Sequence, residues 1–278
     1  MKMNARLLIV GDSSFIASNI YYNLKKKLYI KKIKYSKFLK KNKVFLSNFN
    51  YIVNCSLHKK YVLEKYDKKY DLDYQILNKI KHLNINYIFL SSRKVYKPKF
   101  NIKETDKILP QDNYSKNKLT TENFIKTIIP NNFLILRISN VIGKRIFNNN
   151  KSHDLFLDNF MLNIKSNFVL NHKDVFKDFI SIDQFNYIFL KIIEKNLKGI
   201  FNVSLGKKVY VKEILQWLTS SCKKSLNINN FYYDKKYNSH CFTLNNNKLK
   251  QFISVSIKKK DLKMYCLKLS KKIFLRKK

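Results

Sequence analysis

Leu7-Leu8-Ile9-Val10-Gly11-Asp12-Ser13-Ser14-Phe15-Ile16-Ala17 carries the reading of the fold. The apolar run at 7–10 is short, rich in branched residues, and stops at a glycine. That is the pattern of a strand covered on both faces. Beyond it, Phe15, Ile16, Ile20, Leu24 and Leu28 recur at near-helical spacing, so a helix follows the turn at once. A strand that hands over directly to a helix is the opening unit of a parallel α/β sheet.

The same unit repeats along the chain. A second strand is predicted around Ile30–Tyr35, a third at Tyr51-Ile52-Val53-Asn54, and another at Tyr87-Ile88-Phe89-Leu90, which delivers Ser91 and Ser92 at its C-terminal end. Phe133-Leu134-Ile135-Leu136-Arg137 is a further strand. Leu72, Ile76, Ile80 and Leu83 mark a helix, and Tyr114 to Ile129 reads as another. This alternation predicts an α/β, Rossmann-type, doubly wound parallel sheet. Asn148-Asn149-Asn150 reads as a loop where the first layer ends. Ligands of such sheets bind at the carboxyl ends of the strands. Gly11, Asn54 to Ser56, Ser91-Ser92 and Arg137 to Asn140 fall there, all small or polar.

Composition narrows the classes. The chain has 278 residues, 45% hydrophobic, enough for a sizeable core, and a formal net charge of +39. Such a charge suggests nucleic acid or an anionic surface. The lysines, however, are spread along the whole length. Ala5 and Ala17 are the only alanines, Gly and Pro are scarce, and Asn, Ile, Tyr and Phe abound. That is the signature of an A/T-rich coding sequence, so no specific nucleic-acid partner is expected. Cys55, Cys222, Cys241 and Cys266 have no metal-site or redox spacing, which predicts free thiols, no metal and a cytoplasmic setting. No apolar run reaches the about 18 residues of a membrane span. The basic tail from Lys258 to Lys278 reads as a solvated terminal helix. His58, His82, His153, His172 and His240 show no paired ligand spacing, and Trp217 is expected to pack a small C-terminal lobe.

Tyr114-Ser115-Lys116-Asn117-Lys118 puts a phenol and an ammonium group one helical turn apart on one face. A lysine so placed can lower the pKa of a tyrosine from its ordinary value of about 10 and make the phenol a proton donor and acceptor. Ser92, from a neighbouring strand end, could steady the same substrate oxygen. The spacing alone is weak in a chain with 18 Tyr, and Tyr61 and Lys65 reproduce it.

Gly11 to Ala17 sits where a phosphate-cradling loop belongs, between first strand and first helix. Gly11 supplies the tight turn. Ser14 and Ala17 are small, but neither is glycine, and an ordinary strand-to-helix turn reads equally well. The second strand ends near Tyr35-Ser36-Lys37 with no acid to meet a ribose hydroxyl. Lys34 or Lys37 could instead meet a 2′-phosphate.

With these residues in view, the chain resembles the extended short-chain dehydrogenase/reductases, in particular the NAD-dependent epimerase/dehydratase group that acts on nucleotide sugars. Ser91-Ser92-Arg93-Lys94-Val95-Tyr96 resembles its Ser-Ser/Thr-x-x-Val-Tyr motif. Tyr114–Lys118 falls on its Tyr-x-x-x-Lys pair, and Leu136 to Gly143 resembles its Leu-Arg-x-x-Asn-Val-x-Gly segment. Lys177-Asp178-Phe179-Ile180 resembles its Arg-Asp-Phe-Ile segment, and Gly199 to Ser204 its Gly-x-Tyr-Asn-Val strand. The resemblance runs from about residue 5 to about residue 252.

The resemblance implies a nucleotide-sugar epimerase or reductase using NAD or NADP, with NADP favoured by the missing acid. Ser92, Tyr114 and Lys118 would be catalytic. Gly11, Asp12, Ser13, Ser14, Phe15, Ile16, Asn54, Cys55 and Ser56, with Tyr114 and Lys118, would hold the cofactor, and Ser92 and Asn140 the nucleotide-sugar substrate. Residues 1–150 would form the NAD(P)-binding domain, receiving segments around 175–205, and 151–278 mainly a substrate-binding lobe and the basic tail. A homodimer stays open. Arg93 and Lys94 stand where dehydratases of this group carry an Asp-Glu pair, which disfavours dehydration. The depleted glycine loop leaves an alternative, a catalytically weakened dinucleotide-binding scaffold or sensor.

Overall fold

A computed structural model describes residues 4–146, 157–158, 160, 169–173, 175–222, 227–231, 241–254 and 256–275. The strands are β1 (Arg6–Val10), β2 (Tyr29–Ile33), β3 (Tyr51–Asn54), β4 (Asn86–Ser92), β5 (Phe133–Ile138), β6 (Asn140–Ile142), β7 (Val169–Lys173), β8 (Phe176–Lys177), β9 (Phe179–Ser181), β10 (Gly199–Val203), β11 (Val209–Tyr210) and β12 (Asn227–Phe231). The helices are α1 (Phe15–Leu24), α2 (Tyr35–Leu39), α3 (Lys43–Ser47), α4 (Lys59–Leu63), α5 (Leu72–Ile80), α6 (Asn113–Ile128), α7 (Ile182–Glu194), α8 (Val211–Thr219), α9 (Asn247–Phe252) and α10 (Lys259–Phe274).

Six strands form one parallel sheet in the order β10-β5-β4-β3-β1-β2. Its interior strands read as unbroken apolar runs because both faces are covered. Successive residues of β1 divide between two cores. Leu7 and Ile9 join Val53 and Ile88 beneath α1 and α7, and Leu8 and Val10 join Ile52, Tyr87 and Phe89 beneath α5 and α6. β2 is an edge strand with alternating exposure and stops at Ile33, short of the predicted Tyr35, because α2 begins there. Residues far down the chain, β10, pair in parallel with β5 and form the opposite edge.

Among the described residues, the later part of the chain adds three two-stranded pairings, β11 with β8, β12 with β7, and β6 with β9. A third apolar cluster holds Val209, Ile214, Leu218, Leu262 and Leu269 between α8 and α10, with Trp217 packed against it. The basic tail is therefore a docked helix through residue 274. Among the described residues no helix is long and apolar enough to cross a membrane. The Asn148-Asn149-Asn150 stretch, His153 and His240 lie outside the described residues.

A candidate active site at the strand ends

A cleft of about 590 Å³ opens at the carboxyl ends of β1, β3, β4 and β5. Gly11, Ser13, Ser14, Phe15 and Ile16 line it from the first turn, and Asn54, Cys55 and Ser56 from the end of β3. Ser91 and Ser92 come from β4, Tyr114 and Lys118 from α6, and Asn140 from β6. Of the residues expected there, Asp12 alone is not on the wall. Its carbonyl turns toward β2 and accepts from Lys32 Nζ at 3.1 Å.

The first turn is built for close approach. Gly11 has φ +90°, and a Cβ there would lie 2.4 Å from Ser56 Oγ and 2.7 Å from Ser56 N. An L side chain is thus excluded by conformation and by space. Ser14 caps α1, its Oγ accepting from Ala17 N at 3.2 Å. Ala17 is fully buried, so a methyl fits where helix meets sheet. Gly143, just after β6, serves packing. A Cβ there would meet Ile182 Cγ2 at 2.7 Å and Phe15 Cζ at 2.9 Å.

Asp112 starts α6 with a reciprocal cap: Ser115 N donates to its carboxylate at 2.8 Å, and Asp112 N donates to Ser115 Oγ at 3.1 Å. This fixes where Tyr114 and Lys118 leave the helix. Lys118 is buried, its Nζ 4.4 Å from the Phe89 ring centre and 5.8 Å from that of Tyr114. Lys94 Nζ stands equally far from the Tyr114 ring, 5.8 Å, and pairs with Asp112 Oδ2 at 2.8 Å. Lys94 also donates its backbone N–H to Ser92 Oγ at 3.2 Å, so the turn after β4 and the start of α6 are joined beside the phenol. Burial works to raise the Asp112 carboxyl, but hydrogen bonds from Lys94 and from the side chain and backbone of Ser115, together with the Lys94 charge, hold it down at about 2.

Behind this wall lies a buried charge network. Arg137 grips Glu122 through Nε–Oε1 at 3.1 Å and Nη2–Oε2 at 2.6 Å, with both side chains at most 1% exposed. Ser91 Oγ donates to Glu122 at 2.5 Å, and Arg137 Nη1 donates to Tyr96 Oη at 2.6 Å. The network ties β4, β5 and α6 together through Ser91, the neighbour of Ser92. Desolvation pushes the Cys55 thiol up to about 12, so it stays protonated on the cleft wall.

Asn140 donates its side-chain amide to the Asp178 carbonyl at 3.2 Å and so joins β6 to the link between β8 and β9. Sequence reasoning assigned no role to three cations that the fold brings to the site. Arg145 and Lys177 line the cleft. Arg145 Nε pairs with Asp158 at 2.8 Å. Lys32 is the lysine held on the first turn, whereas Lys34 and Lys37 are exposed. Nothing in the sequence marks Lys32; the pairing of β2 with β1, Ile9 opposite Lys32, brings it there. The second Tyr-x-x-x-Lys match dissolves. Tyr61 is buried and bonded to Thr121 at 2.7 Å, and α4 ends before Lys65. Among the described residues no cluster could hold a metal ion, and all four cysteines are free.

A family model, described as the NAD dependent epimerase/dehydratase family, matches residues 41–204. The match begins beyond the glycine turn. A sequence search of characterised proteins returned no match. Solved structures share the fold over nearly the whole chain. UDP-N-acetylglucosamine 4-epimerase from Methanobrevibacter ruminantium, in complex with UDP-N-acetylmuramic acid, superposes with TM-score 0.78 at 19% identity, covering 98% of each chain. UDP-glucuronic acid 4-epimerase from Bacillus cereus, in complex with NAD, gives 0.75 at 16%, covering 97% of this chain and 99% of that one. A dTDP-4-dehydrorhamnose reductase from Clostridium acetobutylicum gives 0.71 at 18%, covering 94% and 98%.

Proposed function

The chain belongs to the NAD dependent epimerase/dehydratase family, and we propose that it is an NAD(P)-dependent nucleotide-sugar epimerase or reductase. The observation that carries this reading is the convergence of Ser92, Tyr114 and Lys118 on one cleft whose other wall is the Gly11 turn. The residues fit a dinucleotide. Gly11, packed against Ser56 with no side chain of its own, lets the first turn line the cleft and lead straight into the N-terminus of α1, where a phosphate is favoured. Gly11, Ser13, Ser14, Phe15 and Ile16 would hold the pyrophosphate side, and Asn54, Cys55 and Ser56 the middle of the cofactor. A bound nicotinamide supplies the hydride acceptor or donor.

The chain's own residues do the rest. Tyr114 exchanges a proton at the oxygen of the reacting sugar carbon. Ser92 donates a hydrogen bond to the same oxygen. Lys118 holds the ribose next to the phenol and places a positive charge beside it. Asn140, Lys177 and Arg145 line the side where the substrate's diphosphate would lie, and their cations attract it. In this reading the six-stranded sheet carries the cofactor, and much of residues 151–278 the sugar nucleotide. Dehydration is disfavoured: Arg93 lies on the Phe242 ring at 3.9 Å and Lys94 on Asp112, and neither can act as a carboxylic acid. NADP is favoured over NAD because the end of β2 offers Lys32 and Lys34 and no acid.

Identification of the dinucleotide bound to purified protein, then a screen of UDP-, GDP- and dTDP-linked sugars, tests the reading. Tightly held NAD with interconversion of two sugars identifies an epimerase, and net oxidation of added NADPH a reductase. Absence of any dinucleotide binding sinks both. The single-glycine turn favours one other reading, a scaffold or sensor with weakened chemistry. That reading requires Tyr114→Phe to leave every measurable property unchanged.

A further inference from the structure

Asp73 is a buried carboxylate that the reaction as described does not use. It sits in the first turn of α5 and is 3% exposed. Tyr87 Oη donates to its Oδ1 at 2.5 Å, and Asn54, a residue of the cleft wall, also hydrogen-bonds to it. Tyr87 and Phe89 are two residues apart on β4 and therefore project from the same face of the sheet. Asp73 is fastened to the first, and the Lys118 ammonium lies over the ring of the second at 4.4 Å. Lys118 makes no ion pair within 4 Å among the described residues. Glu122, on the same helix, is fully engaged by Arg137 and Ser91. Asp71, the cap of α5, is engaged by Tyr66, Thr121 and the Tyr74 amide. Asp73 is left as the opposite charge to Lys118.

We propose that Asp73 is a positioning residue for Lys118, its fixed carboxylate holding the buried ammonium at the level of the cofactor ribose. The proposal rests on the reading of Lys118 as a cofactor-holding residue. Asparagine would satisfy Tyr87 and Asn54 equally well without the cost of desolvating a charge. Burial pushes the Asp73 carboxyl up to about 6, and Lys118 is the largest influence pulling it back. A carboxylate kept against its own desolvation points to the charge it faces. The other groups around it are Asn54 and Cys55 from β3, Tyr87 from β4, Tyr35 from α2, Tyr61 from α4 and Asp71 from its own helix end.

The test is NADPH affinity and thermal melting of the full chain and of Asp73→Asn. At pH about 7.5 the variant is expected to bind about tenfold more weakly and to melt no lower than the wild type. The ratio of the two affinities, from which the ligand's own ionisation cancels, is expected to close toward one as pH falls to about 5 and the wild-type carboxyl takes its proton. Equal affinity at the higher pH overturns the proposal, and so does weaker binding with a matching loss of melting temperature. If Asp73→Asn does not fold, Tyr87→Phe leaves the charge but loosens it, and about threefold weaker binding is expected; unchanged binding counts against the proposal. A wild type that binds NADPH while Asp73→Asn matches it sinks this inference alone. A wild type that binds no dinucleotide sinks the functional reading, and this inference with it.

Discussion

The Lys118 ammonium lies 5.8 Å from the centre of the Tyr114 ring, one turn along the same face of α6, buried while the ring lines the open cleft. The helix sets this separation, and the cap at Asp112 sets where the helix starts.

Tyr114→Phe removes only the hydroxyl and keeps the ring. Turnover is expected to fall by about 10²–10⁴, the usual worth of a positioned proton-transfer group, with dinucleotide affinity close to wild type. Steady-state kinetics beside a binding titration separates the two. Wild-type turnover in this variant rules out the proton-transfer role.

Gly11→Ala introduces a methyl into space held by Ser56 Oγ and the Ser56 and Cys55 backbone. The neighbours are main chain and cannot step aside. A loss of stability of about 1–3 kcal/mol is expected, with dinucleotide binding weakened further. Urea unfolding and cofactor titration read the two effects. An alanine variant that binds as tightly as wild type shows that the turn does not cradle the phosphate.

Glu122→Gln leaves the buried Arg137 guanidinium without its counter-charge. The expected cost is about 3–5 kcal/mol, read as a lower urea midpoint. Disruption of the half-exposed Lys94–Asp112 pair by Lys94→Met should cost at most about 1 kcal/mol. The contrast follows from burial, since both pairs have short N–O distances, 2.6 and 2.8 Å.

Asp178 makes stability depend on pH. Its carboxylate accepts from the backbone of Leu205, Gly206 and Leu244, yet burial outweighs these donors and pushes it up to about 7. The folded state then holds this proton more tightly than the unfolded state, whose carboxyl titrates near 3.9. The contribution is fully present below about pH 4 and is lost as pH rises through about 7, a change of roughly 4 kcal/mol. Asp73 adds to it in the same direction. Urea unfolding of wild type and Asp178→Asn between about pH 4 and 8 is expected to show the wild type losing stability relative to the variant as pH rises. A constant difference contradicts the argument.

Strand ends were legible because a buried parallel strand announces itself by an unbroken apolar run, and the residue after the run must face the cleft. Gly11, Asn54 and Ser92 are of this kind. Residues recruited by pairing or by helix docking were not legible. Lys32 reaches the Asp12 carbonyl only because β2 pairs with β1 in one register, and that pairing turns Asp12 off the wall. Asp73, on α5, is set opposite Lys118 only through Tyr87 and Phe89 of β4 and the placing of α6, and none of the three elements carries a motif that announces it. Tyr61 and Lys65 share the spacing of Tyr114 and Lys118, but spacing says nothing of where a helix stops, and α4 stops at Leu63.

The placing of β10 beside β5 bears on how the protein is made. Until Gly199–Val203 has been synthesised, at residue 203 of 278, β5 is the open edge of the sheet. That edge is the apolar run Phe133–Ile138, the kind of surface that pairs with any extended chain nearby. During translation the half of the molecule nearest the N-terminus must therefore wait, unfinished and adhesive, for a strand encoded far behind it.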